Sequence, residues 1–391
     1  MLQSIKSEYR SQVANVLTWL SFSIRPLFAK ELAEIFILDR ERKPPFDKAD
    51  RLNLPESVLN YLPSLIIKVL RGGREDPIEI RLAHFSIKEY LISARISQGP
   101  AKYFFINERD AHLHISEDCL AYHLQLSSTI LVTEEQVVRF ALWNYAARFW
   151  VDHLEQVPRP SWSSSATEMA LRTLTPGSRG LLNMNRVRGA DESEEDWDLR
   201  FSDLVPPLYY MAGLGTTQLV QFLLDRNFEI DERSRGLFCF ALQAAAASEN
   251  ENTMQLLLNR GADARAQGGY YGSALQAAAA KRNRSILQLL LEGGADVNAI
   301  GGRFGSALTA AAFFGYTEII RLLLDGGADV NIKAGVFYGN ALYAATFRGH
   351  IDCAALLVSR GAGREGMFPC AAAGARTSTI GGADGGHVRY I

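Results

Sequence analysis

Three histidines and a cysteine in the first third of the chain form the densest group of side chains that could bind a metal. His112, His114, Cys119 and His123 have the spacing H-x-H-x4-C-x3-H. A zinc site needs its ligands to converge at one point, and this spacing matches no zinc-binding pattern. We therefore predict no metal site here and interpret these residues as polar positions of an ordinary helix over residues 115–126.

Motifs for covalent or nucleotide chemistry are missing from the sequence. A P-loop requires the pattern G-x-x-x-x-G-K-[ST], and the chain contains no Gly-Lys dipeptide. It also contains no G-x-S-x-G nucleophile elbow and no HExxH motif. We predict a protein that is not an enzyme, with no catalytic residues and no cofactor.

The composition limits the classes of partner. The 391 residues suffice for two or three domains of roughly 150 residues, and the net charge of −2 gives no general attraction to nucleic acid or membranes. The four cysteines lack CxxC spacing, which is typical of reduced thiols inside cells. No apolar run reaches the roughly 18 residues of a membrane span. We predict an intracellular, cytoplasmic protein without membrane contact, with the nucleus as an alternative.

The last third of the chain repeats one pattern. Leu242, Leu275, Leu308 and Leu342 occupy the same place in an alanine-rich phrase and are 33, 33 and 34 residues apart. A leucine-rich phrase and a Gly-Ala phrase follow in each unit. This period, with two short helices per unit, is typical of a solenoid and resembles the ankyrin repeat. Within residues 203–366 we predict five repeats: 206–230, 240–267, 273–300, 306–334 and 340–363.

The opening of each repeat departs from the usual ankyrin Thr-Pro-Leu-His. Three repeats begin Ser-Ala-Leu-Gln, Ser-Ala-Leu-Thr and Asn-Ala-Leu-Tyr. We expect Ser273, Ser306 and Asn340 to cap the helix N-termini instead. Asn298 and Asn331 are expected to hydrogen-bond the backbone of the turns.

Ankyrin repeats resemble one another in being platforms for protein binding, so we predict an unidentified protein partner on the concave face of the solenoid. Aromatic and arginine side chains are typical anchors of such interfaces. The candidate contact residues are Tyr270, Tyr271, Arg303, Phe304, Phe337 and Tyr338 on the tips of the turns, and Lys281, Arg282, Phe313, Phe314, Phe347 and Arg348 near the first-helix ends. The alternative is that half of these aromatic residues pack between neighbouring turns.

Residues 1–100 have the element order of a winged helix, with three helices followed by a β-hairpin. Apolar residues at helical spacing indicate a helix over 10–24 that includes Ile24 and a second helix beginning near Phe28. Pro55 can open the third helix, and alternating residues after it predict two strands and a further short helix.

A winged helix raises the alternative of a DNA-binding regulator. The third helix has no Lys or Arg before Lys68, although DNA recognition needs cations for phosphates. We therefore predict that nucleic acid is not the partner.

Two segments carry a more specific resemblance. The sequences VLTWLSFSIRPLFAKELAEIFILD at 16–39 and IRLAHFSIKEYLIS at 80–93 resemble the winged-helix segment of fungal NACHT or STAND-type signalling ATPases, often labelled "GPI inositol-deacylase, winged helix". In that family a nucleotide-binding module precedes the segment and ankyrin repeats follow it. The resemblance implies an intracellular signalling protein in which the repeats bind a partner and the winged helix acts as a regulatory relay.

The same resemblance implies a role for His84, which lies where related ATPases carry a Met-His-Asp motif. There the histidine contacts the β-phosphate of the bound nucleotide, so His84 is a candidate cofactor contact if a nucleotide module lies upstream. The alternative is that His84 only caps the junction between wing and helix. Since the P-loop is missing, the chain is expected to be a fragment, a truncated ATPase or a family member without its motor.

The remaining segments are connections. Residues 101–157 are predicted to be a helical connector with one long helix from Glu134 to Gln156. Proline and serine residues, followed by an acidic run, predict a flexible linker over residues 158–202. The Ala- and Gly-rich tail at 367–391 is expected to be disordered or aberrant.

Overall fold

The computed structural model describes residues 2–62, 64–69, 78–129, 133–189, 196–333 and 339–363. These residues form a mainly helical chain with one small sheet near the N-terminus and paired short helices in the C-terminal region. The predicted fold class, mainly α with a helical repeat region, is confirmed. The chain divides into an N-terminal unit, residues 1–269, and a C-terminal unit, residues 270–391.

The N-terminal unit begins with helices and a three-stranded antiparallel sheet. Its first elements are α1 (Arg10–Phe22), β1 (Leu27–Phe28), α2 (Ala29–Ile37), a 3-10 helix (Pro55–Tyr61), β2 (Ile66–Val69), β3 (Glu79–Leu82), α3 (Phe85–Leu91) and α4 (Ala94–Ser97). Further 3-10 helices are Leu2–Ser4, Ser7–Tyr9, Lys48–Asp50 and Lys102–Phe104. The sheet order is β1-β3-β2, with both pairings antiparallel. The α-helices α1 and α2 and the 3-10 helix Pro55–Tyr61 thus precede β2 and β3, with the short strand β1 and further 3-10 helices between and before them. The winged-helix assignment stays a prediction, and residues 70–77 lie outside the described residues.

Three details of this region differ from the prediction. The third helical segment is 3-10 rather than α, with Ser57 N donating to Leu54 O at 2.9 Å. Proline stands at its start and again directly after Leu62, where it disfavours the α conformation of the preceding residue. Ile24 is 47% exposed rather than inward, because α1 ends at Phe22. The strand β1 has two residues, too few to leave an alternating pattern in the sequence.

Five α-helices follow, and several of them pack around α5. They are α5 (Glu108–Thr129), α6 (Glu134–Arg139), α7 (Trp143–Glu155), α8 (Ser164–Thr173) and α9 (Arg179–Val187), with 3-10 helices at Arg159–Ser161 and Phe201–Asp203. Helix α5 packs against α7, α8, α9 and α1. Trp143, Tyr145 and Trp150 of α7 are fully buried, so its aromatic residues form core rather than a ligand site.

The flexible linker predicted over 158–202 is wrong for its first part. Helices α8 and α9 pack on α5, and Ala166 and Leu181 are at most 1% exposed. Ser163, one of the serines that suggested a linker, is a helix cap whose Oγ accepts from Ala166 N at 2.9 Å, and Ser178 Oγ caps α9 by accepting from Leu181 N at 3.0 Å. Residues 190–195, which hold most of the acidic run, lie outside the described residues.

The long helix predicted from Glu134 to Gln156 is two helices, α6 and α7. Val138, predicted to face inward, is 75% exposed. The carboxylate of Glu34 in α2 accepts from Leu142 N at 2.9 Å, which satisfies a backbone donor at the start of α7. The break therefore depends on a tertiary contact that the local sequence does not reveal.

Buried carboxylates join α1 and α2 to the connector helices. Trp19 Nε1 donates to Asp118 Oδ2 at 2.9 Å, and Arg40 Nε lies 3.0 Å from Asp118 Oδ1. Tyr122 Oη donates to Glu34 at 2.5 Å, and burial raises the pKa of this tyrosine. Because these groups are buried, each must keep a hydrogen-bond partner, so the contacts fix how α5 lies against α1 and α2.

Paired helices build the repeat region. The N-terminal unit contains α10 (Pro207–Gly213), α11 (Thr217–Leu224), α12 (Ala241–Ala247) and α13 (Glu251–Asn259). The C-terminal unit contains α14 (Ala274–Ala280), α15 (Arg284–Glu292), α16 (Ala307–Phe314), α17 (Thr317–Asp325), α18 (Ala341–Phe347) and α19 (Ile351–Ser359). First helices pack on each other within a unit, as α10 on α12 and α16 on both α14 and α18. The leucine row is buried, with 0% exposure at Leu257, Leu290, Leu323 and Leu357.

The caps predicted for the first helices are confirmed. Ser273 Oγ accepts from Gln276 N at 3.2 Å, and Ser306 Oγ accepts from Thr309 N at 3.1 Å. Asn340 accepts from the backbone N–H three residues later at 2.8 Å. These side chains replace the missing threonine at the helix N-termini.

The turn asparagines bond as predicted and also join consecutive repeats. Asn298 Oδ1 accepts from Asp329 N at 2.8 Å, and its amide donates to Gly327 O at 3.2 Å. Asn331 repeats the arrangement with Gly361 and Gly363, at 3.1 and 2.7 Å. Gly327 and Gly361 have φ of +90° and +92°, where a side chain would be strained.

Truncation of the buried leucine row should destabilise the chain. Leu290 is 0% exposed, so Leu290→Ala is expected to cost about 2–5 kcal/mol through lost burial and a cavity. The shift of the urea midpoint, followed by circular dichroism, measures this cost. Gln288→Ala, an exposed change on the same helix, should leave the midpoint nearly unchanged. Equal shifts for both variants would contradict the buried row.

A buried histidine should make stability depend on pH. His123 is fully buried and donates from Nε2 to Gly180 O at 2.9 Å, and burial lowers its pKa from 6.5 to about 4. Since the unfolded chain binds this proton more readily, stability should fall as pH drops below 6.5, by about 2 kcal/mol at pH 5. Urea unfolding at pH 7 and pH 5 should show at least that loss in the wild type, because burial also lowers the pKa of His153 to about 3, and a smaller loss in His123→Gln. His84→Gln, at an exposed site, is the control, and an unchanged pH dependence in His123→Gln would refute the assignment.

Candidate protein-binding site

The four candidate metal ligands do not converge. His112 contacts another histidine on α7, His114 contacts α1, His123 contacts α9, and Cys119 is fully buried. Among the described residues, no group of three or more His, Cys, Asp or Glu side chains could hold a metal ion. The connector histidines instead join neighbouring helices.

His84 lies at the N-terminus of α3. Its Nδ1 accepts from Ser86 N at 3.2 Å, and its ring lies 4.3 Å from that of Phe85. The side chain is exposed. This geometry is that of a helix cap, the alternative raised by the sequence. A nucleotide contact would need an upstream module and stays a prediction.

Two aromatic residues and an arginine meet on the tips of the turns in the C-terminal unit. Arg303 Nη1 donates to Tyr270 Oη at 2.7 Å, and the guanidinium lies 5.5 Å from the centre of the Tyr270 ring. Arg303 N also donates to Tyr270 O at 2.8 Å. Tyr271 packs edge-on against Tyr270, with ring centres 5.0 Å apart. Two consecutive tips are therefore joined through side chains as well as backbone.

In two of the repeats, a glutamine that directly follows the repeated Ala-Leu pair bonds the next turn. Gln276 Nε2 lies within hydrogen-bond distance of three carbonyl oxygens of the next turn, at Ala299, Gly301 and Gly305. The nearest is Gly305 O at 3.0 Å. In the N-terminal unit, Gln243 makes a corresponding bond to Ala266 O at 3.1 Å. Each amide thus bonds the backbone of a following turn from the position where the usual ankyrin opening has histidine.

Phe304 is the buried centre of an aromatic cluster. It is 3% exposed, so the prediction that Phe304 contacts a partner directly is wrong. Its ring stacks on Tyr271 at 6.4 Å and lies 5.4 and 5.3 Å from Phe313 and Phe314. Phe304 therefore positions the residues around it, because three neighbouring rings pack on one side chain.

Arginines lie at the edges of the cluster. Tyr316 stacks on Phe314 at 5.7 Å, and the Arg282 guanidinium lies 5.7 Å from the Tyr316 ring centre. Arg348 lies 4.7 Å from the Phe313 ring centre. Both arginines are exposed. Such pairs hold a long cationic side chain in place at a surface.

Most of the predicted partner residues thus fall in one contiguous aromatic–arginine surface. Its members are Tyr270, Tyr271, Arg282, Arg303, Phe313, Phe314, Tyr316 and Arg348, packed around Phe304. Phe347 is 64% exposed on the next repeat and stacks on Tyr343, while Phe337 and Tyr338 lie outside the described residues. Sequence reasoning missed Tyr316. Its signal was its place directly after the helix-breaking Gly315, near the point that Arg282 occupies one repeat earlier.

A second set of contacts joins the connector to the first repeat inside the N-terminal unit. The Glu155 carboxylate accepts from the N–H groups of Gln218 and Leu219, at 3.1 and 2.9 Å, at the start of α11. Burial raises the pKa of Glu155, and these hydrogen bonds oppose that rise. Gln218 Nε2 donates back to Glu155 O at 2.6 Å. A carboxylate at a helix N-terminus is favourable, so the connector caps the repeat helix.

Further aromatic and charged side chains contribute contacts to this junction. The rings of Trp162 and Phe222 lie 5.5 Å apart, and Asp225 accepts from both Arg159 and Arg260. These pairs lower the pKa of Asp225. The first repeat is therefore held by the connector through several kinds of contact.

A helix that crosses a bilayer must be both long and apolar. No helix in the described part of the chain satisfies both requirements.

Comparison with known proteins identifies the repeats. A family model described as "Ankyrin repeats (3 copies)" matches residues 208–301 and 277–365. The chain is also similar to the azaphilone pigments biosynthesis cluster protein L of Monascus ruber, at 30% identity over 277 residues. That similarity covers 67% of this chain and 58% of the relative, so it spans less than two thirds of the relative's length. Residues 208–365 contain ankyrin repeats.

Proposed function

We propose that this chain is the protein-interaction part of an intracellular fungal signalling protein, in which the ankyrin repeats bind a protein partner. The observation that carries the proposal is the aromatic–arginine surface, built on repeats of a kind that serves protein binding. Aromatic and arginine side chains dominate the binding energy of protein interfaces. The proposed role is non-catalytic.

The N-terminal helices and sheet act as a relay in this proposal. Their sequence resembles the winged-helix segment of NACHT or STAND-type proteins, which is the basis for the signalling context. The capping of α11 by Glu155 supports a mechanical link, because movement of α7 would carry the first repeat helix with it.

A second context comes from the fungal relative, whose name assigns it to a pigment biosynthesis cluster. A protein-binding role beside biosynthetic enzymes would use the same surface. Identification of the partner decides between the contexts, since a signalling component favours the first and a biosynthetic enzyme favours the second.

Partner capture should depend on the exposed arginines of the surface. With the full chain as bait in an extract of its source cells, Arg282→Ala with Arg348→Ala is expected to reduce capture of a specific partner about tenfold or more. The matched control is Arg284→Ala with Arg321→Ala, on the second helices of neighbouring repeats. If both double variants capture the same proteins in equal amounts, the surface is not the binding site.

The junction should be sensitive to the Glu155 carboxylate. Glu155→Gln is expected to accelerate amide hydrogen exchange in α11 several-fold, because a neutral amide caps a helix N-terminus less well. Exchange measured by mass spectrometry on the full chain checks this. Glu168→Gln, at an exposed position of α8, should leave α11 unchanged, and unchanged exchange in both variants would argue against a mechanical link.

A further inference from the structure

Charged side chains in the C-terminal unit are sorted by their place in the repeat. The first helices and preceding turns, within residues 270–282, 299–316 and 340–349, contain no aspartate or glutamate. The cations of these segments are Lys281, Arg282, Arg303 and Arg348. The aromatic–arginine surface therefore belongs to segments whose formal charge is purely positive.

The carboxylates of the same unit lie on the second helices and the turns after them. Six exposed carboxylates lie there: Glu292, Asp296, Glu318, Asp325, Asp329 and Asp352. Four cations accompany them, Arg284, Arg321, Lys333 and Arg360, and Arg360 pairs with Asp325 at 2.9 Å. The first-helix segments thus carry four cations and no carboxylate, whereas the second-helix segments together carry six carboxylates and four cations.

The cations of the surface are held by aromatic rings. Arg282 lies over Tyr316, Arg303 over Tyr270 and Arg348 over Phe313, at 5.7, 5.5 and 4.7 Å from the ring centres. A guanidinium stacked on a ring can still donate from its edge to a carboxylate in a bidentate manner. Because the side chain is already ordered, such a contact costs less conformational entropy.

We propose that the aromatic–arginine surface binds an acidic peptide segment of the partner, in which carboxylates alternate with aromatic or aliphatic side chains. This inference rests on the proposed protein-binding function and specifies the chemistry of the partner. Carboxylates pair with the arginines at the edges of the surface, and apolar side chains pack on the half-buried rings of Phe313, Phe314 and Tyr316.

A peptide fits this charge pattern better than a nucleic acid does. A duplex presents one negative charge about every 1.7 Å along its axis and would extend past four cations. The six carboxylates of the same unit would then oppose it. A short acidic segment needs to meet only the positive segments, so its attraction is not offset in the same way.

Selection of displayed random 12-residue peptides on the full chain tests the inference. Peptides enriched on the wild type should contain at least about twice the Asp and Glu of the starting library, together with aromatic or aliphatic residues. A synthetic peptide from that pool should bind, by fluorescence anisotropy, about tenfold more weakly after Arg282→Glu with Arg348→Glu. The control double variant Arg284→Glu with Arg321→Glu should change its affinity less than about twofold, and circular dichroism shows that both variants are folded.

The outcomes separate this inference from the proposed function. If the enriched peptides are neutral or basic and lose their affinity on charge reversal, the proposal of an acidic partner segment is wrong. Protein binding at this surface would still stand. An absence of any enriched peptide would overturn the acidic segment alone, because capture of a partner from the extract tests the proposed function separately. A 20-base-pair DNA duplex that binds and is released by the charge reversal, without enrichment of acidic peptides, would overturn the inference in favour of nucleic acid.

Discussion

A single ankyrin repeat cannot bury its own apolar faces, and the repeat region of this chain is organised by that constraint. The alanine-rich first helices let neighbouring repeats approach closely, and the leucine row closes the other side of each helix pair. Asn298 and Asn331 then bond the turn of the following repeat, which sets the register between consecutive units. Because each repeat depends on its neighbour, the positions of surface residues on adjacent repeats are fixed relative to one another within a unit.

In the N-terminal unit, the first repeats are attached to helices that have a core of their own. Polar groups make the attachment: Glu155 caps α11, and Asp225 accepts from Arg159, just after the connector, and from Arg260 of the following repeat. The same device appears deeper in the unit, where Asp118 and Glu34 receive donors from distant helices. Buried or half-buried carboxylates require defined partners, so they specify geometry more strictly than apolar contacts do.

The sequence predicts the repeats well because one pattern occurs several times. Their helix pairs, the caps at Ser273 and Ser306, and the bonds of the turn asparagines all follow from local chemistry at repeated positions. The errors lie where local chemistry is ambiguous. Serine at Ser163 and Ser178 marks a helix cap as readily as a linker, and only the packing of α8 and α9 on α5 decides between them.

The sequence predicts which types of residue form the candidate site, but not which of them are buried. The aromatic and arginine residues near the turns do gather, yet a phenylalanine on a tip has the same local sequence whether it faces solvent or a neighbouring turn. The burial of Phe304 depends on Tyr271 of the preceding tip as well as on Phe313 and Phe314 nearby in the chain, and the stacking of Arg282 on Tyr316 arises between repeats. Neither can be read from one repeat alone, which is why the first was misassigned and Tyr316 was missed.

The burial of Phe304 beneath exposed side chains has a consequence for how such a protein can change over generations. Replacement of the arginines and tyrosines at the rim alters which molecule is recognised while leaving their common support untouched. The support itself can change only at the expense of folding. Recognition can therefore diversify quickly among duplicated genes on a platform that selection for stability keeps constant.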